Sequence, residues 1–323
     1  MKLEKILKWI VIGGIFLLPF IPLIVSSGLF FPFIAGKNFA FRIIVEIIFG
    51  AWIVLAFLDK NYRPKFSWIS ISVCAFVLIM AVADIFSQNP YKSFWSNFER
   101  MEGLVTLLHL LAYFFVVGSI LNTEKLWNWF LNFTVGVSVI EIIYGLLQLA
   151  GKVAINQSGT RLDGTLGNAA YLGAYMLIHI FITVFLILKW RGANLVKWLY
   201  GIIAFFQFLI LYYTETRGAF LGFLAGVIVF LIIVAIGGKN LSFEKEGLAK
   251  FRKISIGILI AVIVLIGAFF LGISYLASLM PYAGWAIEAA ITPLIAIFIA
   301  RFITLLYELG EKQQPAEPAV VPA

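Results

Sequence analysis

Runs of about twenty apolar residues recur along this chain with only short polar punctuation between them, and a soluble fold has no use for that pattern. A bilayer core is about 30 Å thick, so a helix needs about 20 residues to cross it. In lipid each run must satisfy its own backbone hydrogen bonds, which a helix does and an isolated strand does not. The expectation is an all-α integral membrane protein, a bundle of about ten transmembrane helices near residues 10–31, 39–58, 67–84, 104–121, 126–149, 168–188, 198–213, 218–236, 254–276 and 284–307. Composition agrees, with 63% hydrophobic and 12% charged residues, whereas about a quarter of a soluble domain is charged. The first run is long and is followed by many others, so it reads as an uncleaved span rather than a signal peptide.

Several function classes drop out. Cys74 is the only cysteine and lies in the third run, so an intrachain disulfide and a cysteine-based metal site are both excluded. No histidine pair or carboxylate cluster has metal-ligand spacing, and neither a metal nor a cofactor is expected. No loop exceeds about twenty residues and neither a phosphate-binding loop nor a dinucleotide fingerprint is present. Any substrate is therefore met at or in the membrane.

Lys and Arg set the orientation. With a cytoplasmic amino terminus, sixteen of the 24 basic residues fall in inner segments and six in outer ones, namely Lys37, Lys92, Arg100, Lys152, Arg161 and Arg217. The pI near 9.5 then reflects topology and anionic inner-leaflet lipid, with no call for nucleic acid. The segment "GGKNLSFEKEGLAKFRK" suits lipid headgroups, and residues 308–323 read as a disordered cytoplasmic tail.

Three outer arginines each precede an inward-running span: Arg100 in "FERMEG", Arg161 in "TRLDG" and Arg217 in "ETRG". A helix amino terminus carries unpaired N–H groups and about half a positive charge, which disfavours an arginine unless an anion lies between. Two arrangements answer this. Either the arginines pair with Glu99, Glu102, Asp163 and Glu215 or anchor at headgroups, or they share one anion, for which a diphosphate fits guanidinium geometry. Gly218, Gly222 and Gly226 line one side of the eighth span and would let a helix approach closely, fixing Arg217. His109, early in the fourth span, and His179 are candidates for a proton-transfer role or for hydrogen bonding inside the bundle. Arg42 and Glu46 share a face of the second span. Glu141, Tyr144 and Gln148 form a polar stripe that either lines a cavity or bonds helices together.

The segments "NPYKSFWSNFERMEGLVTLLHLLAYF", "RLDGTLGNAAYLGAYM" and "YYTETRGAFLGFLAG" resemble the O-antigen ligase and O-antigen polymerase superfamily of bacterial glycosyltransferases over about residues 1–276. The resemblance implies a GT-C-like membrane scaffold and metal-independent, inverting transfer of a glycan from an undecaprenyl diphosphate carrier to a hydroxyl of a lipid or protein acceptor. That reaction builds cell-envelope polysaccharide, such as lipopolysaccharide, at the outer face of the bacterial cytoplasmic membrane. It also implies that Arg161 and Arg217, with Arg100, hold the diphosphate, supported by Asp163, Glu215, Glu99, Gln148 and His109. The family continues into a large extracytoplasmic loop with a histidine, which this sequence lacks; residues 277–307 form a further membrane segment without that resemblance. An active transferase therefore stands beside a non-enzymatic alternative, a transporter or flippase of lipid-linked anions or an inactive remnant.

Overall fold

A computed structural model describes residues 2–65, 67–97, 102–156, 159–190 and 192–237. Among these the regular structure is helical: α1 (Lys2–Leu17), α2 (Ala35–Leu58), α3 (Trp68–Ile85), α4 (Pro90–Trp95), α5 (Leu104–Ile120), α6 (Glu124–Leu149), α7 (Ala169–Lys189), α8 (Asn194–Tyr213) and α9 (Arg217–Gly237). The chain divides into two compact units, Met1–Phe223 and Leu224–Ala323. Everything argued below lies in the first.

Among the described residues six segments are long and apolar enough to cross a bilayer: Leu3–Leu23, Ala35–Leu58, Trp68–Ile85, Glu124–Leu149, Ala169–Lys189 and Asn194–Tyr213. The runs expected at 104–121 and 218–236 form apolar helices that are shorter, Leu104–Ile120 and Arg217–Ile233. Of the eight runs expected within the described residues, six thus reach spanning length, and the runs at 254–276 and 284–307 lie outside the described residues. The first span also differs from expectation. Its α-helix starts at Lys2 and stops at Leu17, because Pro19 and Pro22 each lack an N–H and convert Leu18–Leu23 to a 3-10 turn. Helix α4 was not expected. Asn89 caps it by accepting from Lys92 N at 3.0 Å, and Pro90 takes the first position, where a missing N–H is harmless.

Large apolar side chains such as Trp9, Phe57, Trp68, Ile79 and Phe205 are exposed, while Ser138, Glu141, Thr183 and Gln207 are fully buried. That inversion is a bundle made for lipid, where polar groups join helices and apolar groups face the solvent. The Thr183 hydroxyl donates to Gln207 Oε1 at 3.0 Å and Gln207 Nε2 donates to Ser138 Oγ at 2.9 Å, tying α7 to α8 and α8 to α6.

The helices form two packs. In one, Val11 and Ile15 of α1 meet Val45, Ile48 and Leu55 of α2 and Val116 and Ile120 of α5. In the other, Ile142 of α6, Leu172 and Met176 of α7 and Ile210 and Leu211 of α8 surround Leu162, and Ala219 of α9 joins them. The glycine strip of α9 works differently from expectation. Gly218 faces open space, while a Cβ on Gly222 would lie 3.1 Å from the Leu177 side chain, so α9 meets α7 through Ala219 and Gly222.

Candidate functional site

The segment after α6 reads in sequence as an outer loop, yet Leu162, Asp163, Gly164 and Thr165 are buried. Buried backbone must find partners, and here distant elements supply them. Leu162 N donates to Tyr213 O at 3.1 Å, Gly164 N to Gln148 Oε1 at 3.0 Å and Thr165 N to Glu141 Oε2 at 3.3 Å. The Thr165 carbonyl accepts from Lys37 Nζ at 2.9 Å, which also donates to Ile24 O at 2.7 Å. The Thr165 hydroxyl bridges Glu141 Oε1 and the Pro22 carbonyl. Gln148 Nε2 donates to Asp163 Oδ1 at 2.7 Å, and Asp163 Oδ2 accepts from Asn156 N at 2.7 Å.

Glycine is required at two points of this segment. Gly164 has φ +57° and a Cβ there would sit 2.9 Å from Glu141 Oε2; Gly167 has φ +63° and a Cβ would sit 2.2 Å from the Phe33 ring. The stripe of Glu141 and Gln148 therefore holds the loop against the bundle. Buried Lys37 and Glu141 both hold Thr165, the first at its carbonyl and the second at its N–H and hydroxyl.

Arg161 stands beside this loop and reaches the turn between α8 and α9. Its Nε donates to Thr214 O at 3.0 Å and its Nη2 to Thr216 Oγ1 at 3.2 Å. The guanidinium thereby satisfies a carbonyl left over at the carboxyl end of α8. The Thr216 hydroxyl is also within 3.1 Å of Ala169 O, linking the turn to the start of α7.

Arg217 and Glu215 flank Thr216 and are both exposed. They line a groove of about 800 Å³ with Leu211, Tyr212, Tyr213, Thr216, Phe220 and Leu221. No ion pair joins the two, and neither has a side-chain partner among the described residues. Glu215 sits at φ +49°, in the left-handed region. The groove thus combines apolar walls with a guanidinium and a carboxylate that have no side-chain partner among the described residues.

The other predicted residues fall as follows. Arg100 and Glu99 lie outside the described residues. For Arg161 and Arg217, pairing with the neighbouring acids does not occur: Arg161 takes a carbonyl and a hydroxyl, and Arg217 takes nothing from the described residues. Asp163 belongs to the buried loop and Gln148 holds it there, and neither lines the groove. The N–H groups of Ala170 and Tyr171 at the start of α7 donate to Asn168 Oδ1 at 2.8 and 3.4 Å, so the side-chain cap already engages them.

His109 has its partners in the other pack. Its Nδ1 lies 2.7 Å from Val105 O and its Nε2 lies 3.0 Å from Glu46 Oε1. A carbonyl only accepts, so Nδ1 carries the hydrogen of the contact to Val105. Arg42, on the same face as Glu46, donates from Nη2 to Thr106 Oγ1 at 2.9 Å. His179 is buried, with Nδ1 2.8 Å from Tyr175 O. Among the described residues no group of His, Cys, Asp and Glu has the arrangement to hold a metal ion.

Sequence reasoning missed Lys37, Thr165, Thr214 and Thr216. The seven-residue spacing of Glu141 and Gln148, which stacks them on one helix face, and the glycines bracketing "GTLG" were the available signals. Comparison with protein-family models, with curated proteins and with solved structures finds no match, so a functional reading stands on this chain's own residues.

Proposed function

We propose that the protein binds an undecaprenyl diphosphate-linked glycan in the groove at the α8–α9 turn and transfers the glycan to a hydroxyl of a lipid or protein acceptor. In this reading it is a glycosyltransferase of the O-antigen ligase kind on a larger helical scaffold. The amino terminus is on the cytoplasmic side of a bacterial inner membrane and the groove opens at the outer face. The observation that carries the reading is Arg217: exposed, unpaired among the described residues, and set at the rim of an apolar groove of about 800 Å³. Its guanidinium meets the diphosphate while Phe220 and Leu221 line a path for the isoprenoid. Arg161 clamps the turn that carries Arg217.

The charge on the leaving diphosphate grows as its bond to the sugar breaks, and a fixed guanidinium stabilises that growth. Purified protein incubated with carrier-linked glycan and a lipid A–core acceptor tests this. Transfer by the wild-type chain and its loss in Arg217→Ala are expected. Equal transfer by both would remove Arg217 from the reaction. Carrier binding without transfer by either chain would favour the flippase alternative.

A further inference from the structure

The groove is lined by a second charged side chain without a partner among the described residues, and its placement is unusual. Glu215 occupies the left-handed region at φ +49°, a position after a helix end that glycine ordinarily fills. The turn around it is over-determined. Arg161 holds Thr214 O at 3.0 Å, Glu215 N donates to Tyr212 O at 3.1 Å, and the Thr216 hydroxyl lies 3.1 Å from Ala169 O and 3.2 Å from Thr214 O. Backbone held this firmly fixes where the carboxylate starts from, and that carboxylate lines the same groove as Arg217 without pairing with it.

We propose that Glu215 is the general base of the glycan transfer, taking the proton of the acceptor hydroxyl. The proposal rests on the lipid-diphosphate reading given above. In the step, the acceptor oxygen forms a bond to the anomeric carbon as its proton passes to the Glu215 carboxylate. The bond from that carbon to the phosphate oxygen breaks, and its electron pair leaves with the diphosphate, whose charge Arg217 meets. The displacement inverts the carbon and requires no further reactant. A carboxylate and a guanidinium that do not neutralise each other are the pair such a displacement needs, one for the entering oxygen and one for the leaving group. The structural alternative is that Glu215 merely complements the amino-terminal end of α9.

Wild type, Glu215→Gln, Glu215→Asp and Glu215→Gly are compared in detergent micelles with undecaprenyl diphosphate N-acetylglucosamine as donor and water and glycerol as hydroxyl acceptors. Carrier binding and release of undecaprenyl diphosphate are both measured. Glu215→Gly suits the left-handed turn, so it keeps the fold while removing the carboxylate. The expected result is carrier affinity within about twofold of wild type for the Gln and Gly variants and release slowed by roughly 10²–10⁴-fold. Glu215→Asp is expected in between. Release by the Gln variant at the wild-type rate overturns the proposal and leaves the carrier site standing. So does a wild-type chain that binds the carrier but releases nothing. A wild-type chain that fails to bind the carrier overturns the underlying reading and this proposal with it.

Discussion

Each helical pack carries a carboxylate at membrane depth, and the two packs treat it in opposite ways. In the α1–α2–α5 pack, the side chain of Glu46 is 65% exposed and its partner His109 only 15%. In the α6–α7–α8 pack, Glu141 is fully buried and meets Thr165 through two hydrogen bonds, while Lys37 holds the Thr165 carbonyl. The first is a pair on the surface of a pack. The second joins α6, the buried loop, the start of α2 and the Pro22 carbonyl. A charge enclosed by several partners from distant segments fixes their geometry, whereas a charge at the edge adds one local contact.

That contrast breaks most easily at Glu141. Glu141→Leu would leave Thr165 N without an acceptor and the Thr165 hydroxyl with the Pro22 carbonyl alone. A destabilisation of about 3 kcal/mol is expected, the upper end of the cost of leaving buried polar groups unsatisfied. Thermal unfolding in detergent measures it, and a melting temperature equal to wild type would show that the cluster holds nothing together.

Arg161→Ala comes next. It removes a charged donor from the end of α8, with an expected loss of about 1.5–3 kcal/mol and faster amide exchange confined to residues 214–217. Uniform exchange along the chain would mean that the clamp is not local.

The smallest effect is expected in the first pack. A double-mutant cycle on Glu46→Gln and His109→Gln should give a coupling of about 1 kcal/mol or less. A coupling as large as the Glu141 effect would erase the distinction between the packs.

The helices were legible in the sequence because each is decided locally, by about twenty apolar residues and a cap or proline at its end. Ser67, Thr123 and Asn168 accept from N–H groups at the starts of α3, α6 and α7, as their positions before apolar runs suggest. The buried loop was not legible. Leu162–Thr165 meets residues 22, 37, 141, 148 and 213, and those encounters depend on how the helices pack. Lys37 counts as an outer-loop residue by charge bias, yet it is buried in the first turn of α2. The arginines were partly legible. Sequence flagged Arg161 and Arg217 alike, because both precede helix starts; the turn geometry separates a clamp from an unpaired cation.

The central claim is that Arg217 at the groove rim grips a lipid diphosphate. Its most direct test is the affinity of the purified chain for undecaprenyl diphosphate, with and without Arg217→Ala, alongside the melting temperature of each. The account predicts affinity about 10–100-fold weaker in the variant, as expected for losing one charge-assisted hydrogen-bonding group, at an unchanged melting temperature. Equal affinity in the two chains would contradict it.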